Sequence, residues 1–388
     1  MIHKRAYLIV KDGSVFQGIS FGAPPLKPSD LKRSSTFKKS VGEVVFNTGM
    51  TGYHEILTDP SYTGQIVTMT CPHIGNYGCH KGWSEVGPEE EGRNKIKSSG
   101  IVVRSVYGGA VPAGRETLDA FLRQNDIPGL SEVDTRSLTI KLRDSGSQTG
   151  IIVRSENARE LTPDDKKVVM DFLLEFPEME GRNLLSDVGT LTPVTENPGG
   201  SPRIGLIDYG IKANIIKNLV ASGCRVDLFP GNVTFEEIKK INPDGIFFSN
   251  GPGDPGVLLD QIDFIKKVIG NYPIAGICLG HQLISLALGA KTFKLKFGHH
   301  GNNHPVRDEK TGKVFVTSQN HGFSVDENSL PHDAEVWFRN ANDNTIEGIH
   351  HKKLRILTVQ FHPEAAPGPR DSLWIFRDFV KSFQRNIK

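Results

Sequence analysis

The chain has 388 residues, enough for two domains that each bury a core. Its 46 basic and 44 acidic side chains leave a formal charge of +2, so no chain-wide positive field recruits nucleic acid, and no apolar run is long enough to span a bilayer. Four cysteines, Cys71, Cys79, Cys224 and Cys278, are too few and too scattered for a disulfide framework, and the apolar stretch that opens the chain is too short for a signal peptide, so a cytoplasmic protein is expected.

The first segments read as β structure. Ala6-Tyr7-Leu8-Ile9-Val10 and Val15-Phe16-Gln17-Gly18 flank the turn Lys11-Asp12-Gly13-Ser14, a hairpin pattern, and the chain stays strand-rich to about Arg154. Lys27 to Ser40, with Lys32, Arg33, Lys38 and Lys39, is a basic insertion expected to be a solvated loop. Cys71, His73, Cys79 and His80 contain no Cys-x-x-Cys pair, so no metal site is expected there.

Pro163 to Phe176 reads as a helix in a connector, and the breaker-rich stretch Thr192 to Pro202 as a linker. The expected division is 1–155 as a β-rich domain, 156–202 as helical connector and linker, and 203–388 as a second domain. Beyond the linker the pattern alternates: strands Ile204 to Asp208, Arg225 to Phe229, Gly245 to Ser249 and Pro273 to Ile277 interleave with helices Asn214 to Ser222, Phe235 to Ile241 and Leu258 to Ile269. Such alternation predicts an α/β fold with a largely parallel sheet flanked by helices, behind a β-rich α+β N-terminal domain. Functional residues then belong at the carboxyl ends of the strands.

Two motifs end such strands. Gly276-Ile277-Cys278-Leu279-Gly280 follows Pro273-Ile274-Ala275 and opens a helical segment, Gln282 to Leu288, which is the pattern of a nucleophile elbow with cysteine at its centre. A buried cysteine alone is a small hydrophobe. In an elbow it is expected to be strained and exposed, with the positive end of a helix dipole favouring thiolate. The alternating strand Arg355 to Phe361 runs into His362-Pro363-Glu364. Residues two apart on a strand share a side, so Glu364 is placed to hold one ring nitrogen of His362 while the other serves the thiol. Between the two motifs, His299, His300 and His304 lack a second ligand group at a recognised spacing, and no metal is expected. No Gly-x-x-x-x-Gly-Lys-Ser/Thr loop is present, so the chain itself is not expected to bind ATP.

The chain resembles the class I, triad-type glutamine amidotransferases, and more closely the small, glutamine-hydrolysing subunits of carbamoyl phosphate synthetases. In the second half the likeness rests on Ser249 to Pro255, Gly276 to Gln282, Lys296 to Gly301, Gln319 to Phe323 and His362 to Ala365. In the first half it rests on Gly42 to Thr48, Met50 to Tyr53, Glu55 to Tyr62, Pro72 to Asn76 and Asp134 to Arg136, and these single out the synthetase subunits.

The resemblance implies Cys278 as nucleophile, His362 as general base and acid, and Glu364 as its partner. It implies an oxyanion hole at the N–H groups of Gly251 and Leu279, and glutamine held by Gln282 and by the backbone around Gly253, Asn320, Gly322 and Phe323. Where the family carries a serine against the glutamine, this chain has Gly49, which is expected to weaken binding slightly by removing a hydroxyl. The implied partner is a large synthetase subunit that uses ATP, Mg²⁺ and bicarbonate to make carbamoyl phosphate for pyrimidine and arginine synthesis. No cofactor is expected on this chain. An amidotransferase serving another synthetase, a stand-alone cysteine γ-glutamyl hydrolase and a non-catalytic relative are the competing readings.

Overall fold

A computed structural model describes residues 5–31, 39–88, 95–156 and 160–384. Contacts divide the chain into two compact units: 1–84 with 94–182 and 296–300, and 85–93 with 183–295 and 301–388.

The first unit is built on a closed seven-stranded barrel. In spatial order its strands are Arg5–Val10, Val15–Gly22, Pro128–Ser131, Gly100–Val102, Gln65–Met69, Val41–Asn47 and Gln148–Val153. The first strand shows why its sequence is apolar throughout. Ala6, Leu8 and Val10 point into one core cluster with Val44, Ile66, Leu130 and Ile152, while Tyr7 and Ile9 join another with Val169 and Leu173 of the helix Pro163–Glu175. That helix begins with a capping box between Thr162 and Asp165. Of the basic insertion, Lys32, Arg33 and Lys38 lie outside the described residues; Pro28–Leu31 is a single helical turn with Leu31 buried. Cys79 is buried in the apolar cluster around Tyr53 and Ile74, whereas His73 and His80 are exposed.

The second unit is a ten-stranded sheet in the order Val194–Glu196, Arg225–Pro230, Arg203–Asp208, Gly245–Phe248, Ile274–Ile277, Ile356–Val359, Ile346–His351, Glu335–Asn340, Lys291–Asp308 and Val314–Asp326. The segment expected as a linker therefore contains an edge strand: Val194–Glu196 pairs antiparallel with Arg225–Pro230, and Thr195 donates to Asp227 at 2.7 Å. Its polar residues suit a half-solvated edge, which periodicity alone does not distinguish from a loop.

Arg225–Pro230, Arg203–Asp208, Gly245–Phe248, Ile274–Ile277 and Ile356–Val359 form the parallel part. Alternation along these strands gives the sheet two buried faces. Leu206, Phe247, Ala275, Ile277 and Val359 face the helices Ala213–Ala221 and Ile375–Phe383. Ile207, Ile246, Phe248 and Ile274 face the helices Phe235–Ile241, Leu259–Val268 and Leu279–Ala287. The result is the three-layer arrangement, a largely parallel sheet between helices, expected from the alternating pattern. Helix Ile375–Phe383 lies so close that a Cβ on Gly245 would meet Phe383 Cδ1 at 2.0 Å. Among the described residues no helix is long and apolar enough to cross a membrane.

Candidate active site

The elbow forms where Ile274–Ile277 ends in the middle of the parallel sheet. Cys278 adopts φ 54° and ψ −105°, a combination an L-residue holds only under strain, and caps the nine-residue helix Leu279–Ala287. Two backbone bonds fix the turn: Cys278 N–H donates to Val359 O at 2.8 Å and Gly280 N–H to Ser249 O at 3.0 Å. The flanking glycines are required by close approach. A Cβ on Gly280 would meet Phe248 O at 2.3 Å, and one on Gly276 would meet Ile284 Cδ1 at 2.6 Å. The helix starts three residues earlier than expected, at Leu279, so the thiol sits at its amino end, where the dipole favours a negative charge. Cys224, buried without such a helix end, has its thiol pushed up to about 11 by desolvation.

The expectation of an exposed thiol is not met. Cys278 is 2 % exposed, and its sulfur lies 3.6 Å from the carbonyl oxygen of Asn320. The covering segment comes from the strand Val314–Asp326, far along the chain, which no local pattern at the elbow announces.

His362 is buried, and its Nδ1 lies 2.6 Å from Glu364 Oε1. The pairing expected from strand geometry is produced instead by a turn. The strand ends at Val359, His362 N–H donates to Ser318 O at 2.9 Å, and Ala365 N–H returns to His362 O at 3.1 Å. A carboxylate cannot donate, so Nδ1 carries the proton and Nε2 is left to accept. That Nε2 is buried and has no hydrogen-bond partner among the described residues.

A third group completes this cluster and was not anticipated. Lys212, 1 % exposed, places Nζ 3.0 Å from Glu364 Oε1 and donates to Ala365 O at 2.5 Å. Burial alone would raise the Glu364 carboxyl; the Lys212 ammonium, followed by His362, outweighs it and holds the group at about 2. The one sequence signal for Lys212 is its place just past the carboxyl end of the strand Arg203–Asp208. Asn250 ties that loop to the neighbouring one, accepting from Lys212 N–H and donating to Gly210 O, both at 3.0 Å.

Gly251 follows Asn250, and a Cβ there would meet Tyr209 O at 2.1 Å, so only glycine brings this backbone in. Leu279 is the first residue of its helix, with an N–H that no intrahelical carbonyl reaches. Gly253 turns the same loop with φ 96°. Gln282 is buried, and its Nε2 donates to Phe323 O at 2.9 Å and to Gln360 Oε1 at 3.0 Å. Asn320 and Phe323 are buried with Gly322 between them, and Lys294 Nζ stands 5.1 Å over the Phe323 ring. Gly49 belongs to the first unit, where its N–H donates to Asn47 Oδ1 at 2.7 Å. The second unit thus brings Cys278, Leu279, Gln282, Asn320 and Phe323 into one neighbourhood, with His362 and Glu364 past the end of the adjoining strand Ile356–Val359 and Lys212 reaching Glu364 from past the strand Arg203–Asp208.

Residues 8–152 match the model of the carbamoyl-phosphate synthase small chain, CPSase domain, and residues 205–382 that of glutamine amidotransferase class-I. Over nearly the whole length the chain is similar to carbamoyl phosphate synthase small chains. It is 46 % identical to that of Akkermansia muciniphila, with 97 % of each chain covered, and 46 % identical to that of Methanocaldococcus jannaschii, with 97 % of this chain and 98 % of the relative covered. To that of Aquifex aeolicus it is 43 % identical, over 99 % of this chain and all of the relative.

Proposed function

The chain belongs to the carbamoyl phosphate synthase small chain family, the glutamine-hydrolysing subunits of that ligase, and from this premise we propose that Cys278, His362 and Glu364 carry out the hydrolysis. One observation carries the reading: a cysteine held at positive φ on a helix amino end, in the same unit as a buried histidine whose Nδ1 is fixed 2.6 Å from a carboxylate.

In the proposed reaction His362 Nε2 takes the Cys278 thiol proton, the sulfur bonds to the γ-carboxamide carbon of glutamine, and the carbonyl electron pair moves onto oxygen. The N–H groups of Gly251 and Leu279 hold that oxyanion; losing one such donor typically costs roughly 10²–10³ in turnover. His362 protonates the departing nitrogen through Nε2, and ammonia leaves a γ-glutamyl thioester. Water then gives a proton to His362 as it attacks the same carbon, the C–S bond breaks, and glutamate and thiol are regenerated. Glu364 keeps Nδ1 protonated and stabilises the imidazolium in each half, and Lys212 keeps Glu364 ionised.

Substrate glutamine is held by Gln282, Gly253, Asn320, Gly322 and Phe323. Ammonia is nucleophilic only when unprotonated, so it is passed to a large subunit without release to bulk water. There ATP and Mg²⁺ drive carbamoyl phosphate synthesis for pyrimidines and arginine. This chain needs no cofactor, and its barrel unit supplies much of the docking surface.

The test pairs Cys278→Ser with the large subunit. Synthesis from glutamine should vanish while synthesis from an ammonium salt persists. A parallel loss of both would show that the thiol is not confined to the glutamine half-reaction.

A further inference from the structure

Beneath the segment that covers Cys278 lies a chain of buried polar groups that the proposed chemistry does not use. Glu347, 0 % exposed, accepts from Asn340 Nδ2 at 3.1 Å and from Gln319 Nε2 at 2.9 Å. Gln319 Oε1 then faces His321 Nε2 at 2.9 Å, and His321 Nδ1 faces the carbonyl oxygen of Phe323 at 2.8 Å. That carbonyl is the one Gln282 Nε2 also reaches, at 2.9 Å.

The donor inventory bears on the protonation of the ring. A carbonyl oxygen only accepts, so His321 Nδ1 carries a hydrogen. With Glu347 ionised, Gln319 aims its amide nitrogen at the carboxylate, because its oxygen there would oppose another acceptor; its oxygen then faces the ring, an arrangement in which Nε2 carries a hydrogen as well. Asn340 cannot turn to relieve the arrangement, since its Oδ1 accepts from Asn342 N–H at 2.9 Å. Glu347 and His321 are 3.9 Å apart at closest approach, near enough for the carboxylate to hold a charged ring.

We propose that Glu347 is a positioning residue for glutamine: it holds His321 as an imidazolium whose Nδ1–H pins the Phe323 carbonyl and with it the backbone from Asn320 to Phe323. This rests on the assignment of that segment to glutamine binding. A charge-assisted bond is about twice as strong as a neutral one, and the pinned carbonyl has two donors, one of them charged. The same segment places Asn320 O against Cys278 Sγ, so slack at Phe323 loosens the substrate pocket while leaving the triad residues themselves in place.

The test uses Glu347→Gln, which keeps the shape, the bond from Asn340 and, if Gln319 turns over, the bond to Gln319, but removes the charge that keeps the second proton on the ring. In the ¹⁵N-histidine-labelled chain at neutral pH, with His321 assigned by comparison with His321→Gln, both ring nitrogens should report as protonated. In E347Q one should not. With the large subunit, E347Q should raise KM for glutamine about five- to tenfold, the effect of replacing a charge-assisted bond by a neutral one, with kcat within about twofold and ammonium-dependent synthesis unchanged. A bare ring nitrogen in the wild-type chain overturns the proposal without any variant, and so does an unchanged KM in E347Q. Should E347Q fail to fold, Glu347→Asp retains the acid and should keep both ring protons; a bare nitrogen in it overturns the proposal. Failure of the triad reading shows elsewhere, as glutamine-dependent synthesis that survives Cys278→Ser.

Discussion

The backbone strain at Cys278 makes a prediction that does not depend on catalysis. Its φ of 54° and ψ of −105° lie outside even the left-handed helical region, where ψ is near +47°, in territory open essentially to glycine alone. Such a residue carries of order 1–3 kcal/mol, and this position belongs at the upper end. Cys278→Gly relieves that strain, whereas Cys278→Ala retains it. Against this, glycine frees the unfolded chain by about 0.7 kcal/mol more than alanine does, and alanine buries one methyl more, worth about 0.8 kcal/mol. The balance leaves the glycine variant more stable by about 1.5 kcal/mol, a tenfold difference in the unfolding equilibrium. Both variants lack the thiol, so activity does not intrude. Urea unfolding followed by tryptophan fluorescence reads the comparison, since Trp337 and Trp374 lie in the second unit and Trp83, in the first, is common to both. An alanine variant as stable as the glycine one would refute the claim that the elbow holds its cysteine under strain.

Lys212→Met removes the cation beside a fully buried carboxylate and should destabilise the second unit by about 3–5 kcal/mol. It should also cut glutamine-dependent turnover, because the Glu364 carboxyl rises from about 2; the double variant with Glu364→Gln should lose less stability than the two singles added together, as urea midpoints will show. Gly280→Ala drives a Cβ to 2.3 Å from Phe248 O and should cost about 1–3 kcal/mol with loss of glutaminase activity, whereas Gly312→Ala, which meets nothing within 4 Å, should leave activity intact although its positive φ lowers stability. Burial holds His54 down to about 4 and His281 to about 3. Both lie below the ordinary 6.5, so the unfolded chain binds protons first as pH drops: stability is complete above about 6.5 and falls towards pH 4, by roughly 3 kcal/mol for His54 alone. His54→Phe should flatten that decline in the first unit, and urea midpoints that stay level between pH 7 and 4.5 in the wild type would contradict it.

What could be read from the sequence follows from how local each cause is. The elbow was legible because its glycine spacing and its switch from strand to helix lie within one pentapeptide, although the backbone that its residues approach and bond, Phe248 O, Ser249 O and Val359 O, comes from other strands. His362 and Glu364 were legible as a pair but for another reason than the one that joins them: a turn closed by Ala365 N–H to His362 O, not a strand repeat, brings the carboxylate round. Lys212 and Glu347 were not legible, since a lysine or glutamate is buried only when a partner arrives from elsewhere, and theirs come from Glu364 and from Gln319 and Asn340. The enclosed thiol fails for the same cause, because the Asn320 carbonyl that covers it lies 42 residues away. The chemistry of this site divides along that line. The reactive atoms sit on short motifs whose geometry is set by their own backbone, while the charges that tune them, Lys212 against Glu364 and Glu347 against His321, are delivered by separate strand ends and loops that meet only when the second unit has folded.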